Sequence, residues 1–278
     1  MIELIKVIIL GIVQGITEWL PISSSGHLIL LEEFIKLDVS KEFWDMFMVV
    51  IQLASILAVV ILFWKKIWPF KNEAQEKNLM ARYIQTDKMI LWLKIAVSCL
   101  PTIIIALPFN DVIEEKFNNY IVVACMLILY GILFIVIENY NKRRRPKVTS
   151  LDTIPWQIAI GIGVFQVLSV IPGTSRSGAT ILGGILLGLS RTIAAEYTFF
   201  LAIPVMFGAS LLKIIKFGFD FSSHELMVLV VGMGTSFIVS VLAIRFLMSY
   251  IKKHDFKVFG WYRIVLGILV LGYFLITS

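Results

Sequence analysis

The side chains able to do chemistry in this chain gather in two short segments, QGITEWLPISSSGH at 14–27 and SVIPGTSRSGAT at 169–180. Gln14 and Glu18 stand four apart, so on a helix both project from one face. Ser23, Ser24 and Ser25 follow, then His27. The second segment supplies Thr174, Ser175, Arg176, Ser177 and Thr180. An arginine is always charged and offers a planar fork of donors suited to phosphate or carboxylate. A helix starting at each segment adds unpaired amides and the positive end of its dipole. Together these groups describe an anion site, and phosphate is the anion they fit. Each part also has a purely structural reading. Ser and Gly let helices pack closely, an interior His commonly completes a hydrogen-bond network, and Glu18 with Arg176 could be only a buried pair. Packing alone leaves the hydroxyls unexplained, so chemistry is the better account.

The elements that position these residues follow from composition. Of 278 residues, 59% are hydrophobic and 16% charged, and the mean hydropathy is +0.90. An ordinary soluble domain has roughly 45–50% and about 25%. A soluble enzyme, a disordered chain and a secreted disulfide scaffold are therefore excluded, and an integral membrane protein is expected. Cys99 and Cys125 both lie in apolar runs and are expected to be core packing rather than a disulfide or metal pair. The net charge of +6 sits mainly in short loops, where membrane topology explains it and nucleic acid is not expected.

Crossing a hydrocarbon core of about 30 Å takes roughly 20 apolar residues. Six runs qualify, near 44–64, 90–108, 120–138, 194–216, 226–249 and 258–276. The 142–147 segment, KRRRPK, is basic at five of six positions, whereas 109–119 carries Asp111, Glu114 and Glu115. The positive-inside rule then places 65–89, 139–155 and 250–257 in the cytoplasm, and 109–119 and both termini outside. A cleavable leader over 1–20 is the competing reading; Glu18 at the end of its apolar region speaks against it.

Under this topology 1–36 begins and ends outside, and 156–190 begins and ends inside. Each is drawn as a re-entrant hairpin with its polar interruption at the tip, where protein or a wet cavity shields the irregular backbone. A shift of 152 residues aligns Gly11 with Gly163, Gln14 with Gln166, Ser23–Gly26 with Ser175–Gly178, and Phe47 with Phe199. The expected fold is thus an all-α integral membrane protein: a single membrane domain over 1–278 with six transmembrane helices and two re-entrant helical hairpins. Its halves, 1–138 and 156–276, form an inverted-topology repeat joined by the basic cytoplasmic loop 139–155. The two tips meet near mid-membrane, and the site lies there. Elsewhere His224 and His254 are expected in solvated loops, Trp64, Trp68 and Trp261 in an interfacial belt, and the basic loop as an orientation signal that anionic lipid could also bind.

Q-G-I-T-E at 14–18, P-I-S-S-S-G-H at 21–27 and P-G-T-S-R-S-G-A-T at 172–180 resemble the signature motifs of bacterial undecaprenyl pyrophosphate phosphatases, the bacitracin resistance family. The resemblance extends over essentially the whole chain. It implies hydrolysis of the C55 polyprenyl pyrophosphate to the monophosphate and phosphate. That reaction recycles the lipid carrier for peptidoglycan synthesis and gives bacitracin resistance, in the bacterial plasma (inner) membrane, with the site opening to the outer face. Gln14 and Glu18 fill the family's (E/Q)-x-x-x-E positions; many members carry Glu at the first. A divalent cation, Mg²⁺ or Ca²⁺, is then expected on Glu18, the Gln14 carbonyl and pyrophosphate oxygens.

Charge and geometry, with the family as support, suggest the catalytic roles. Arg176 clamps the pyrophosphate and stabilises charge in phosphoryl transfer. Ser23, Ser25, Thr174, Ser175, Ser177, Thr180 and backbone amides cradle it. Ser24 is the candidate nucleophile, with His27 as its base or as acid for the leaving group, and Glu18 positions metal or orients His27. His27 itself or an activated water stay open as nucleophile, and monomer or homodimer stay open as assembly. Two alternatives remain at this stage. A transporter flipping polyprenyl phosphate would share the inverted repeat. A different lipid phosphatase of the acid phosphatase type-2 kind would share S-S-G-H and S-R-S-G, but its K-x-x-x-x-x-x-R-P motif has no counterpart here.

Overall fold

The computed structural model describes residues 2–71, 83–117 and 119–277. In chain order its α-helices are α1 (Ile2–Thr17), α2 (Ser24–Phe34), α3 (Lys41–Leu62), the single turn α4 (Trp64–Ile67), α5 (Thr86–Phe117) and α6 (Tyr120–Asn141). They continue as α7 (Trp156–Val167), α8 (Arg176–Leu186), α9 (Arg191–Phe217), α10 (Ser223–Tyr250) and α11 (Lys257–Thr277), with a 3-10 turn at Leu168–Val170. Among the described residues β-structure is limited to two isolated bridges, Phe70 with Ile84 and Val148 with Leu189. Among the described residues six helices are long and apolar enough to cross a membrane: α3, Thr86–Ile105 within α5, α6, α9, α10 and Lys257–Ile276 within α11. These coincide with the six apolar runs.

Local chemistry sets the helix starts. Ser40, Asn119 and Ser190 each accept a backbone N–H from three residues on, and Ser222 forms a capping box with Glu225. Three long-range pairs depend on glycine. An added Cβ at Gly11 would lie 2.9 Å from the Gly232 carbonyl on α10, and one at Gly163 would lie 2.4 Å from the Ser98 carbonyl on α5. Gly131 of α6 and Gly260 of α11 each bring an added Cβ to 2.7 Å from the other's carbonyl oxygen. Small residues are how membrane helices approach this closely.

The two interrupted segments each form a helix, a turn and a second helix. At about 1.5 Å per residue, the 16 residues of α1 reach about 24 Å, short of a full crossing. Glu3, near the start of α1, accepts from Asp38 N–H at 2.9 Å, and Lys6 Nζ donates to the Lys36 carbonyl at 2.6 Å, so the segment returns to the end it left. His224 Nε2 meets Glu3 Oε2 at 2.8 Å, which places the start of α10 at that same end. The second segment also returns: Val148 N–H donates to the Gly188 carbonyl, and Ser190 N–H donates to the Val148 carbonyl. This lies at the end of the bundle where α10 finishes, beside Lys252.

Several expectations change. His224 belongs to the first turn of α10 and is bound to Glu3 rather than sitting free in a loop, because Ser222 caps the helix before it. The Asp38 amide, then His224, holds the Glu3 carboxyl below its ordinary value, although some burial opposes this. Cys125 is exposed on α6 instead of packed in the core, whereas Cys99 is buried. The 109–119 segment is helical as far as Phe117: Pro108 inside the helix costs a donor, but the following Glu–Glu–Lys run favours helix and carries it on. His254 lies exposed, stacked on Tyr250. Trp64, Trp68 and Trp261 are exposed near helix ends. Part of the 65–89 loop, residues 72–82, lies outside the described residues.

Candidate functional site

The two tips share an unusual backbone. Ser23 (φ 73°) and Ser175 (φ 69°) are the non-glycine residues with positive φ among those described. Each is the N-cap of an 11-residue helix, accepting from Gly26 N–H at 3.3 Å and Gly178 N–H at 3.2 Å. Such conformations cost about 1–3 kcal/mol and persist where the surroundings over-determine them. Here the cap bonds and buried neighbours do so, and each strained turn opens a helix whose first amides have no intrahelical acceptor.

Glu18 is the hub. It is buried just after α1 ends, its amide donating to the Gln14 carbonyl at 3.0 Å. Gln14 Nε2 donates to Glu18 Oε2 at 2.9 Å, as their four-residue spacing implies, and Ser24 Oγ donates to the same oxygen at 3.5 Å. From the other tip, Arg176 NH2 donates to Glu18 Oε1 at 2.9 Å. Arg176 is oriented further by NH1 donating to the Thr198 carbonyl at 3.1 Å, and its Nε is buried without a partner. Ser177 Oγ donates to the Glu18 carbonyl at 3.3 Å. The tips are therefore joined through a carboxylate, a guanidinium and a hydroxyl.

Other expected site residues are placed less directly. The Ser175 hydroxyl, besides capping its helix, lies 3.1 Å from Ser177 Oγ. Thr180 Oγ1 donates to the Arg176 carbonyl at 2.8 Å and accepts from Thr198 Oγ1 at 2.9 Å. Thr174 Oγ1 is buried and unpartnered, a donor left over for a ligand. The side chain of Ser25 lies outside the described residues. His27, one helical turn beyond Ser24, is hydrogen-bonded elsewhere: Nδ1 donates to the Ser23 carbonyl at 2.7 Å, so in the neutral ring Nε2 accepts from the Tyr262 hydroxyl at 2.6 Å. The two rings stack at 8°.

Arg263 was missed from sequence. It is fully buried on α11 behind both tips, donating to the Pro21 carbonyl at 3.2 Å, Gly173 at 2.8 Å and Thr174 at 2.9 Å. The signal was present, since Arg263 stands inside the 258–276 run and a charge at that depth is costly unless used. Tyr262 beside it had no motif to mark it.

The donor set can take a hard divalent ion. Among the described residues no three His, Cys, Asp or Glu side chains gather as ligands. Gln14 Oε1, however, is buried without a partner beside the Glu18 carboxylate, and Mg²⁺ or Ca²⁺ accept amide and carboxylate oxygens completed by phosphate. Glu18 and Gln14 fit that role.

Comparison with known proteins adds an independent line. The family of bacitracin resistance protein BacA matches residues 7–269. A protein of Lachnoclostridium phytofermentans named undecaprenyl-diphosphatase is 61% identical over 276 residues, covering 99% of this chain and 98% of its own. Proteins of the same name from Enterococcus faecalis and Desulfitobacterium hafniense are 60% and 59% identical, over 97% and 99% of this chain and 96% and 97% of theirs.

Proposed function

The chain belongs to the bacitracin resistance protein BacA family, and on that premise we propose that it is an undecaprenyl-diphosphatase that hydrolyses a C55 polyprenyl pyrophosphate to the monophosphate and phosphate. The observation that carries the reading is the meeting of Glu18, Ser24 and Arg176 between two helix N-termini. A transporter needs an anion site but no hydroxyl beside a carboxylate, and relatives at this identity carry the name of a phosphatase.

In this reading the pyrophosphate lies between the tips. Arg176 turns its free Nε–H and part of its fork to the phosphate oxygens, joined by Thr174 Oγ1 and the first amides of α2 and α8. Most of the expected cradle hydroxyls, those of Ser23, Ser175, Ser177 and Thr180, shape the tips by bonds they already make. Ser24 Oγ attacks the terminal phosphorus, the bond to the bridging oxygen breaks, and the polyprenyl monophosphate leaves. Glu18, released by Arg176 as the guanidinium engages phosphate, takes the Ser24 proton. His27, held in one tautomer by its Nδ1–H bond to Ser23, then acts through Nε2, once the Tyr262 hydroxyl swings off it, as base for the water that cleaves the phosphoserine, and Glu18 returns its proton to Ser24 Oγ. Mg²⁺ or Ca²⁺ on Glu18 and Gln14, when bound, neutralises pyrophosphate charge.

We read both interrupted segments as re-entrant hairpins of an inverted repeat. Their return to opposite ends of the bundle and the matching Ser23 and Ser175 turns support this. The site is assigned to the outer face of the bacterial inner membrane, where carrier pyrophosphate is released. A homodimer would leave it intact, because every residue in it comes from one chain.

The test is phosphate release from a long-chain polyprenyl pyrophosphate by detergent-purified protein, with Mg²⁺ or with chelator. Folded Ser24→Ala, His27→Ala and Arg176→Ala variants should each lose about 10²-fold or more, and Ser24→Ala the most. Wild-type protein that binds the lipid without releasing phosphate would overturn the reading in favour of transport.

A further inference from the structure

The basic segment at 142–147, which orientation alone would explain, walls a cavity of about 360 Å³ at the basic end of the bundle. The cavity is far from the two tips, at the ends of α6 and α10 and the start of α9. Arg144, Arg145, Lys147 and Lys252 line it, and none of the four belongs to an ion pair among the described residues. Its one carboxylate, Glu138, is already committed: Arg191 donates to both its oxygens, and Phe256 N–H donates to Oε1 at 3.1 Å. The lining therefore carries uncompensated positive charge.

Two further features supply donors. Asn141 Nδ2 lines the cavity, buried and without a partner. The 27-residue helix α9 starts here, and the Ser190 side chain accepts from Ile193 N–H, leaving the earlier first-turn amides for a ligand. The walls are also fixed. Lys147 and Val148 N–H both donate to the Gly188 carbonyl, at 2.8 and 3.1 Å, and Ser190 N–H donates to Val148 at 2.9 Å.

We propose that this cavity binds the phosphate of an acidic phospholipid headgroup. Its donors match a phosphate, and basic pockets between helix ends at a membrane surface commonly hold such headgroups. An apolar flank selects lipid over a free anion. Leu186 lines the cavity and is exposed, and the Arg144 guanidinium lies 4.0 Å over the exposed Tyr140 ring, leaving an apolar path beside the charge. Free phosphate gains nothing from that path.

The test uses the delipidated full chain in neutral detergent, with phosphatidylglycerol, phosphatidylcholine or inorganic phosphate added. Native mass spectrometry reads bound lipid, and the thermal midpoint reads stabilisation. Phosphatidylglycerol should be retained and raise the midpoint; phosphatidylcholine and inorganic phosphate should do neither. The double variant Arg144→Gln/Arg145→Gln should weaken phosphatidylglycerol binding about thirtyfold. Asn141→Asp should weaken it as well, with detergent-phase phosphatase turnover unchanged in both variants. If Asn141→Asp does not fold, the surface arginine pair decides alone. Equal retention of the neutral lipid, unchanged binding by the arginine variant, or stabilisation by inorganic phosphate equal to that by phosphatidylglycerol would each overturn the proposal.

Discussion

Glu18 and Arg176 form an ion pair across the two tips, a pairing that their types already suggest. A carboxylate one turn from Gln14 and an arginine inside a Ser/Gly turn could be paired from the sequence. Their junction, 158 residues apart in the chain, is what the fold adds. Arg263 shows why the rest was hidden. Its partners are backbone carbonyls up to 242 residues away, and a carbonyl has no side-chain signature to search for. The hydroxyls mislead in the opposite sense: Ser23 and Ser175 look like ligands by type, yet each caps a helix. If Arg263 is a positioning residue, Arg263→Lys should keep the charge but lose the span across both tips, because an ammonium offers no planar fork. Misplacing reacting groups by about 1 Å costs on the order of 10²-fold, so kcat should fall about that much with KM little changed. Arg263→Ala should instead unfold readily in detergent, since each buried acceptor left without a donor costs about 1–3 kcal/mol. Thermal melts beside turnover assays separate the two, and an Arg263→Lys enzyme of wild-type kcat would remove the positioning role.

The long helices were plain in hydropathy, because an unbroken apolar run of about 18 residues or more fits little besides a membrane crossing. The short ones were legible only through the break in apolarity at each tip. What sequence could not supply was the contact each glycine serves. Gly163 brings α7 against α5 so closely that an added Cβ would sit 2.4 Å from the Ser98 carbonyl, a backbone atom that cannot rotate away. Gly208 in α9 has nothing within 4 Å. Gly163→Ala should therefore destabilise by about 1–3 kcal/mol through overpacking. Because α7 leads into the second tip, its phosphatase activity should drop as well. Gly208→Ala should gain up to about 1 kcal/mol from helix propensity and leave turnover alone. Thermal midpoints of the two proteins in one detergent would check this, and a neutral Gly163→Ala would contradict the close approach.

At the scale of the whole molecule, charge and connectivity speak to the same orientation through independent features. The basic segments at 142–147 and around Lys252 lie together at one end, where the second interrupted segment starts and finishes. The first interrupted segment starts and finishes at the other end, tied by Glu3 to Asp38 and to His224. The positive-inside rule turns this polarity into an expected direction, with the Glu3 end outside. Single cysteines can report it once Cys125, exposed on α6, is replaced by Ser; Cys99 is buried. Cysteines placed at Asp38 and at Phe219, both exposed, should react with a membrane-impermeant thiol reagent on intact cells. A cysteine at Arg143, exposed in the basic segment, should react only after permeabilisation. Labelling of Asp38 and Phe219 from opposite sides would break the hairpin reading, because a segment that crosses the membrane cannot return its end to Glu3. Labelling of all three in the reverse sense would keep the hairpins and invert the molecule. The two tips would then have to meet a pyrophosphate delivered from the cytoplasm, and the proposed outer-face opening would fall while the chemistry proposed for Ser24, Glu18 and Arg176 would be left untouched.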